Sequence, residues 1–224
     1  MSSTPAKRKR VRLFPLGGLV FFPHTRLPLR IFEPRYKQMT EDALAGNREI
    51  VMVLPKRQEG NGDPVPIHSV GTLGIINNER RLPSGEFLME LEGVERVRII
   101  HEVESSKLYR QAEVEVLEDT MDEQLASLRE LQRTEILRHL HVILPERNET
   151  VDQYLTYLAR QCRPAVFSDV VSYSAPINVE LKQELLEETN VDERLKKLVE
   201  TAHEALSGMV PDAPPLFPPE FSAT

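Results

Sequence analysis

The sequence predicts an α+β protein, with strands and turns to about residue 118 and helices from about residue 119. Short apolar runs punctuated by Gly and Pro fill the first half, several of them alternating with period two. From Glu123 onward, leucines recur instead at helical spacing. A composition of 40% hydrophobic and 28% charged residues over 224 positions is enough to bury a core in each half.

Residues 1–10 contain the run Lys7-Arg8-Lys9-Arg10 and read as a basic flexible tail. In Phe21–Met39, Pro23 and Pro28 divide an apolar run into short extended pieces, because proline cannot donate to a sheet ladder. Pro34 suits the first turn of a helix over about 34–45, with Tyr36, Met39, Ala43 and Leu44 on its apolar stripe. Val51–Leu54 is a short buried strand, 56–69 a polar surface loop, and Val70–Ile76 a strand whose glycines permit a bulge. Leu82-Pro83-Ser84-Gly85 is a turn. Phe87, Met89 and Leu91 then alternate with Leu88, Glu90 and Glu92. Gly93 is expected to bend the chain before a separate strand at Val94–Ile100. In the strand Ala112–Leu117, Ala112, Val114 and Val116 point inward. So many short strands suggest a small barrel or sandwich over residues 11–118.

Residues 119–208 are expected to be a helical subdomain. Leu125, Leu128, Leu131, Leu137, Leu140 and Leu144 form one apolar stripe, closed by Pro145. Val151, Tyr154, Leu155, Leu158, Ala159 and Cys162 form a second, ended by Pro164. A short helix follows over Ser168–Tyr173, another starts near Asn178, and a last one near Asn190 with Glu193 placed for a capping box and Gly208 as its stop. Residues 209–224 contain five prolines and read as an extended tail.

Charge is uneven: residues 1–40 carry +8 and the remainder −15. An acidic body, few aromatics and no tryptophan disfavour nucleic acid and anionic membranes as partners. The one cysteine, Cys162, excludes an intrachain disulfide and reads as a buried small hydrophobe. The apolar run Leu13–Phe22 is too short and too interrupted to span a membrane and lacks a cleavage site, so a cytoplasmic protein is expected. On that expectation the glycosylation pattern Asn148-Glu149-Thr150 has no meaning.

No catalytic constellation is legible, and neither catalytic residue, cofactor nor metal site is expected. No glycine precedes a lysine, which removes the phosphate-cradling loop, and there is no Gly-x-Ser-x-Gly elbow. Gly60-Asn61-Gly62 is a turn. Ser105, Ser106 and Lys107 are neighbours in a loop without an evident activating pocket. His139 and His141 point in different directions, and His203-Glu204 has Ser207 where a metalloprotease helix needs a second histidine. His24, His68 and His101 are isolated. Glu187-Glu188 reads as a solvated pair. Two readings stand for Glu33 and Arg35: Arg35 anchors a peptide carboxylate, or, preferably, Glu33 accepts N–H bonds at the helix start while Arg35 pairs nearby. Phe21, Phe22, Phe32 and Tyr36 read as core.

Several segments resemble the amino-terminal substrate-binding domain of the Lon protease family in a short stand-alone form. They are Phe14-Pro15-Leu16, Phe22-Pro23, Leu27–Tyr36 with its core Ile-Phe-Glu-Pro-Arg-Tyr, Val70-Gly71-Thr72, Leu91–Ile99, Lys182–Glu187 and Asp192–Leu195, within about residues 10–207. His24 stands where members often have a small residue. The resemblance implies a PUA-like β pseudo-barrel with one inserted helix, followed by a C-terminal helical bundle. It also implies a non-catalytic role in binding unfolded or tagged protein segments, with a protease or chaperone as a further partner. The residues that bind peptide are unknown at this stage. An RNA-binding PUA-like protein is the alternative, resting on the basic residues 7–12. A small hydrolase ranks lower, and so does a ubiquitin-ligation adaptor, since the cysteine-rich zinc modules of such relatives are absent here.

Overall fold

Alternating burial closes the amino-terminal half on itself. The computed structural model describes residues 8–56, 65–143, 157–158 and 161–207, and the chain divides into two units, Met1–Glu118 and Asp119–Thr224. The first contains strands β1 (Arg8–Pro15), β2 (Arg26–Ile31), β3 (Glu49–Val53), β4 (Val70–Arg81), β5 (Phe87–Val103) and β6 (Gln111–Leu117), with helix α1 (Pro34–Leu44) between β2 and β3. β1 pairs with β3 in parallel; the β3–β4, β4–β5, β5–β6 and β6–β1 pairs are antiparallel. These pairings return to their start, so five strands form a closed ring and cover one another's edges.

Every ring strand supplies the core: Val11 and Leu13 from β1, Val51 from β3, Leu73 from β4, Val97 from β5, Ala112 and Val114 from β6. The parallel β1–β3 pair requires a crossover, and β2 with α1 is that crossover. α1 buries Tyr36, Met39, Thr40 and Ala43. The Tyr36 ring meets Phe14 edge-on at 4.5 Å, and its hydroxyl donates to the Pro15 carbonyl at 3.3 Å. Opposite Val11 and Leu13, Arg12 donates to the carbonyl of Asp42 and the side chain of Asn47, at 2.8 and 2.9 Å, and so ties the end of α1 to β1.

Three expectations for this unit change. Arg8, Lys9 and Arg10 are strand residues rather than tail, because β6 offers them Glu115, Val114 and Glu113 as partners, and Lys9 bonds Glu49 at 3.0 Å. Gly93 does not end a strand: β5 runs unbroken for 17 residues. A Cβ at Gly93 would lie 2.2 Å from the Phe22 carbonyl oxygen, so glycine is there to admit another stretch of backbone. That stretch is hydrogen-bonded to it, Gly93 N–H to the Thr25 carbonyl and His24 N–H to the Gly93 carbonyl. β4 also extends past Ile76 to Arg81. The expected bulge is present as a register shift at Leu73/Gly74. Within the expected loop 56–69, Lys56 N–H bonds the Pro66 carbonyl and Ile67 packs on the core.

The second unit contains a 3-10 turn at Glu123–Leu125 and helices α2 (Ala126–Ile143), α3 (Pro164–Ser174), α4 (Val179–Glu187) and α5 (Val191–Ser207). Asn178 caps α4 through the N–H of Leu181, and Asn190 Oδ1 accepts from the N–H groups of Asp192 and Glu193 at the head of α5. Pro164, expected only to stop a preceding helix, opens α3, which starts four residues before Ser168 because proline needs no N–H partner there.

The stripe expected on α2 is wrong in its first half. Leu128 and Leu131 are exposed, at 45% and 68%, whereas Arg129, Arg133, Ile136 and Leu137 are buried. The arginines are buried because partners await them. Arg129 donates to Asp192 at 2.7 Å and to the Asp122 carbonyl. Arg133 donates to the Leu158 carbonyl and lies 4.9 Å from the Phe167 ring centre. At the centre of the unit Arg194 is wholly buried. It grips Asp119 with two bonds of 3.1 and 2.9 Å and donates to Ser168 Oγ and the Glu188 carbonyl. Cys162 is buried, as expected. The Asn148 pattern, Leu144, Gly60-Asn61-Gly62, most of the 151–162 stripe, Gly208, residues 1–7 and the tail 209–224 lie outside the described residues.

Candidate peptide-binding surface

Among the described residues, β2 is the one strand of the first unit outside the ring. It pairs with β5 alone, from Arg26↔Glu92 to Ile31↔Phe87, and among the described residues no strand pairs with its other edge. Leu27, Leu29 and Ile31 are buried while Arg26, Pro28 and Arg30 face water. Pro28 stands opposite Glu90, and a proline fits an antiparallel ladder only where its absent N–H would have faced away from the partner. Two residues to either side, the N–H groups of Arg26 and Arg30 share that open edge. Proline between them limits indiscriminate edge pairing, a usual safeguard. On the solvent face, Arg30 bonds Glu86 at 2.7 Å, and Arg26 lies 3.6 Å from Glu90 and 3.8 Å from Glu92.

Phe32 follows directly and is 60% exposed, contrary to its expected place in the core. Phe21, Phe22 and Tyr36 are buried. The signal for Phe32 was in the sequence: once Leu27, Leu29 and Ile31 point inward, period two turns residue 32 outward. The Glu33 carboxylate does not cap α1; it binds Arg35 at 2.9–3.0 Å, while the Glu33 carbonyl accepts the N–H groups of Tyr36 and Lys37. The Arg35 guanidinium also lies 4.5 Å from the Tyr36 ring centre. Arg35 is thus held by its own helix start.

A second exposed apolar side chain, Leu108 at 62%, is anchored to α1 by its N–H bond to Gln38 Oε1 at 2.8 Å. Its neighbours converge on Asp42, Lys107 Nζ at 2.8 Å and the Tyr109 hydroxyl at 2.7 Å. Those two donors hold the Asp42 carboxyl below its ordinary range, and Asp42 in turn raises Lys107. A lysine acting as a base needs the opposite shift. Ser105 Oγ accepts from the Lys107 N–H, so this loop is a turn stapled to α1 and not a serine–lysine dyad. Burial likewise pushes the Cys162 thiol up, away from a nucleophilic thiolate.

His24 sits in the turn before β2 with φ +62°, the left-handed region where a small residue is easiest, which explains why its position stood out. His139 and His203, read separately in the sequence, are brought together with Glu135. His68 donates its N–H to the Leu54 carbonyl, and His101 is exposed on β5.

Residues 10–203 match the family profile of the ATP-dependent protease La (LON) substrate-binding domain. The chain belongs to this family. Among similar proteins, the Lon protease of Dictyoglomus thermophilum is 28% identical over 188 residues, covering 83% of this chain and 23% of that one. Lon protease 1 of Thermus thermophilus is 29% identical over 197 residues, covering 86% and 24%. This Lon-family chain therefore spans about a quarter of the length of the curated relatives it matches. The N-terminal domain of the Mycobacterium avium complex Lon protease superposes with a TM-score of 0.69 at 20% identity, covering 88% of this chain and 99% of that one. The Lon N-terminal domain protein from Xanthomonas campestris gives 0.60 at 20% identity, with 86% and 98% covered. The α+β fold is that of Lon N-terminal domains. No helix among the described residues is long and apolar enough to cross a membrane.

Proposed function

We propose that this chain is a non-catalytic module that binds unfolded or tagged protein segments, working in the cytoplasm beside a protease or chaperone. The open edge of β2, ending at exposed Phe32, carries the reading. An extended segment adding to this edge would take main-chain bonds from Arg26 and Arg30 and rest an apolar side chain on Phe32. The family's description as a substrate-binding domain supports it. So do the states of Lys107 and Cys162, both shifted away from the nucleophilic or basic form. The RNA-binding alternative has less support, because Arg8–Arg10 are committed to β1 beside Glu113 and Glu115.

The test is fluorescence anisotropy with a reduced, alkylated polypeptide as the unfolded ligand. Phe32→Ala should weaken binding by about tenfold, on the order of 1.4 kcal/mol. The Arg26 and Arg30 amides should gain hydrogen-exchange protection in the complex. An absence of wild-type affinity, or equal affinity in the variant with unchanged protection, would reject the proposal.

A further inference from the structure

In the helical unit, side chains from two helices converge where the family relationship assigns nothing. Glu135 and His139 stand four residues apart on α2 and therefore share a face one turn apart. His203 of α5 meets them: its Nε2 is 2.8 Å from Glu135 Oε1, and its ring stands edge-on to His139 with centroids 4.9 Å apart and planes at 90°. One ligand atom from each of the three residues lies within 4.8 Å of the others.

His139 is the unusual member. It is 97% buried, with 3% exposed, and its Nδ1 makes no hydrogen bond. Buried polar atoms are normally satisfied, so an orphaned nitrogen on a buried ring that stands against His203, beside Glu135, makes His139 a candidate ligand.

We propose that Glu135, His139 and His203 form a three-ligand site for zinc or a similar late first-row divalent cation, tying α2 to α5. Two imidazoles and one carboxylate suit such an ion, whereas calcium and magnesium favour oxygen ligands throughout. Tetrahedral bonds of about 2.0–2.1 Å place ligand atoms roughly 3.3 Å apart, so the widest separation must shrink by up to about 1.5 Å while the 2.8 Å Glu135–His203 pair opens by about 0.5 Å. Glu135 and His203 are partly exposed and have room to do so, and water takes the fourth position. Arg138, 3.5 Å from Glu135 Oε1, is the cation that zinc displaces. Glu135-x-x-x-His139 is a chelating pair visible in the sequence, but its third member stands 64 residues later on another helix.

The test is calorimetric titration of chelator-treated full-length protein with zinc chloride, beside His203→Ala and Glu135→Gln. The wild type should bind one equivalent, and each variant should lose at least tenfold in affinity. Zinc should raise the wild-type Tm and leave that of His203→Ala unchanged, while magnesium moves neither. Cobalt(II) should give the visible absorption of a tetrahedral N/O site in the wild type alone. An absence of saturable zinc binding, or a loss in only one variant or neither, overturns the site. All of these readouts are independent of peptide binding.

Discussion

The two units bury different kinds of side chain. The unit Met1–Glu118 fills its ring with Val11, Leu13, Val51, Leu73, Val97, Ala112 and Val114, and Arg96 is its one buried charged side chain among the described residues. The helices of Asp119–Thr224 bury Arg129, Arg133, Asp169, Asp192 and Arg194 among their leucines. An apolar interior is forgiving, since its members need only volume. A buried charge is demanding, since removing one partner strands the other in a medium that solvates it poorly. The helical unit should therefore be the more sensitive to a single well-chosen substitution.

The largest effect should follow Arg194→Ala, which removes the buried cation that pairs with Asp119 and Asp169 and donates to Ser168 Oγ. A loss of about 3–5 kcal/mol is expected by urea denaturation. A loss below about 1 kcal/mol would mean that the buried network is not what distinguishes the helical unit. In the ring, Gly93→Ala forces a Cβ against the Phe22 carbonyl oxygen and should cost about 1–3 kcal/mol, read from the shift in Tm. An unchanged Tm would show that the Phe22–Thr25 segment moves aside freely.

A pH effect of intermediate size should come from Lys182, whose Nζ donates to the Tyr173 carbonyl at 2.6 Å and whose pKa burial pushes down to about 8. The unfolded chain holds this proton more tightly, with a reference value of 10.5, so stability should rise with pH between those two values. Relative to Lys182→Met, the wild type should gain about 1–2 kcal/mol from pH 7 to 10.5, the full shift being reduced because the ammonium stays partly in water. A constant difference across that range would contradict the burial effect. The smallest change should be Leu131→Ala, within about 0.5 kcal/mol by denaturation, because this leucine lies in water. A core-sized loss there would restore the leucine stripe as the buried face.

Strand positions were readable because alternate residues of β5 and β6 face the same side, so Met89 and Val114 declare themselves by period two. Helix ends at Pro34, Asn178 and Asn190 were readable because capping is local chemistry. The buried face of α2 was not, since Arg129 and Arg133 go inside only because Asp192, the Leu158 carbonyl and Phe167 are waiting. Gly93 reads as a bend in the sequence because the backbone that presses on it comes from residue 22, far away along the chain. The candidate peptide surface was half legible: Phe32 follows from the pleat, but the open edge beside it depends on β2 having no second strand partner among the described residues.

Periodicity and caps are properties of neighbouring residues, so the class of fold and the order of strands before helices are written in the chain, and the Ile31–Tyr36 and Leu91–Ile99 segments carry the resemblance to the Lon family. Long-range packing is what closes the ring through β6, puts Arg129, Arg133 and Arg194 inside the helical unit, and brings Glu135, His139 and His203 together. Each depends on groups dozens of residues apart satisfying one another's hydrogen bonds or charge, and local spacing does not encode that.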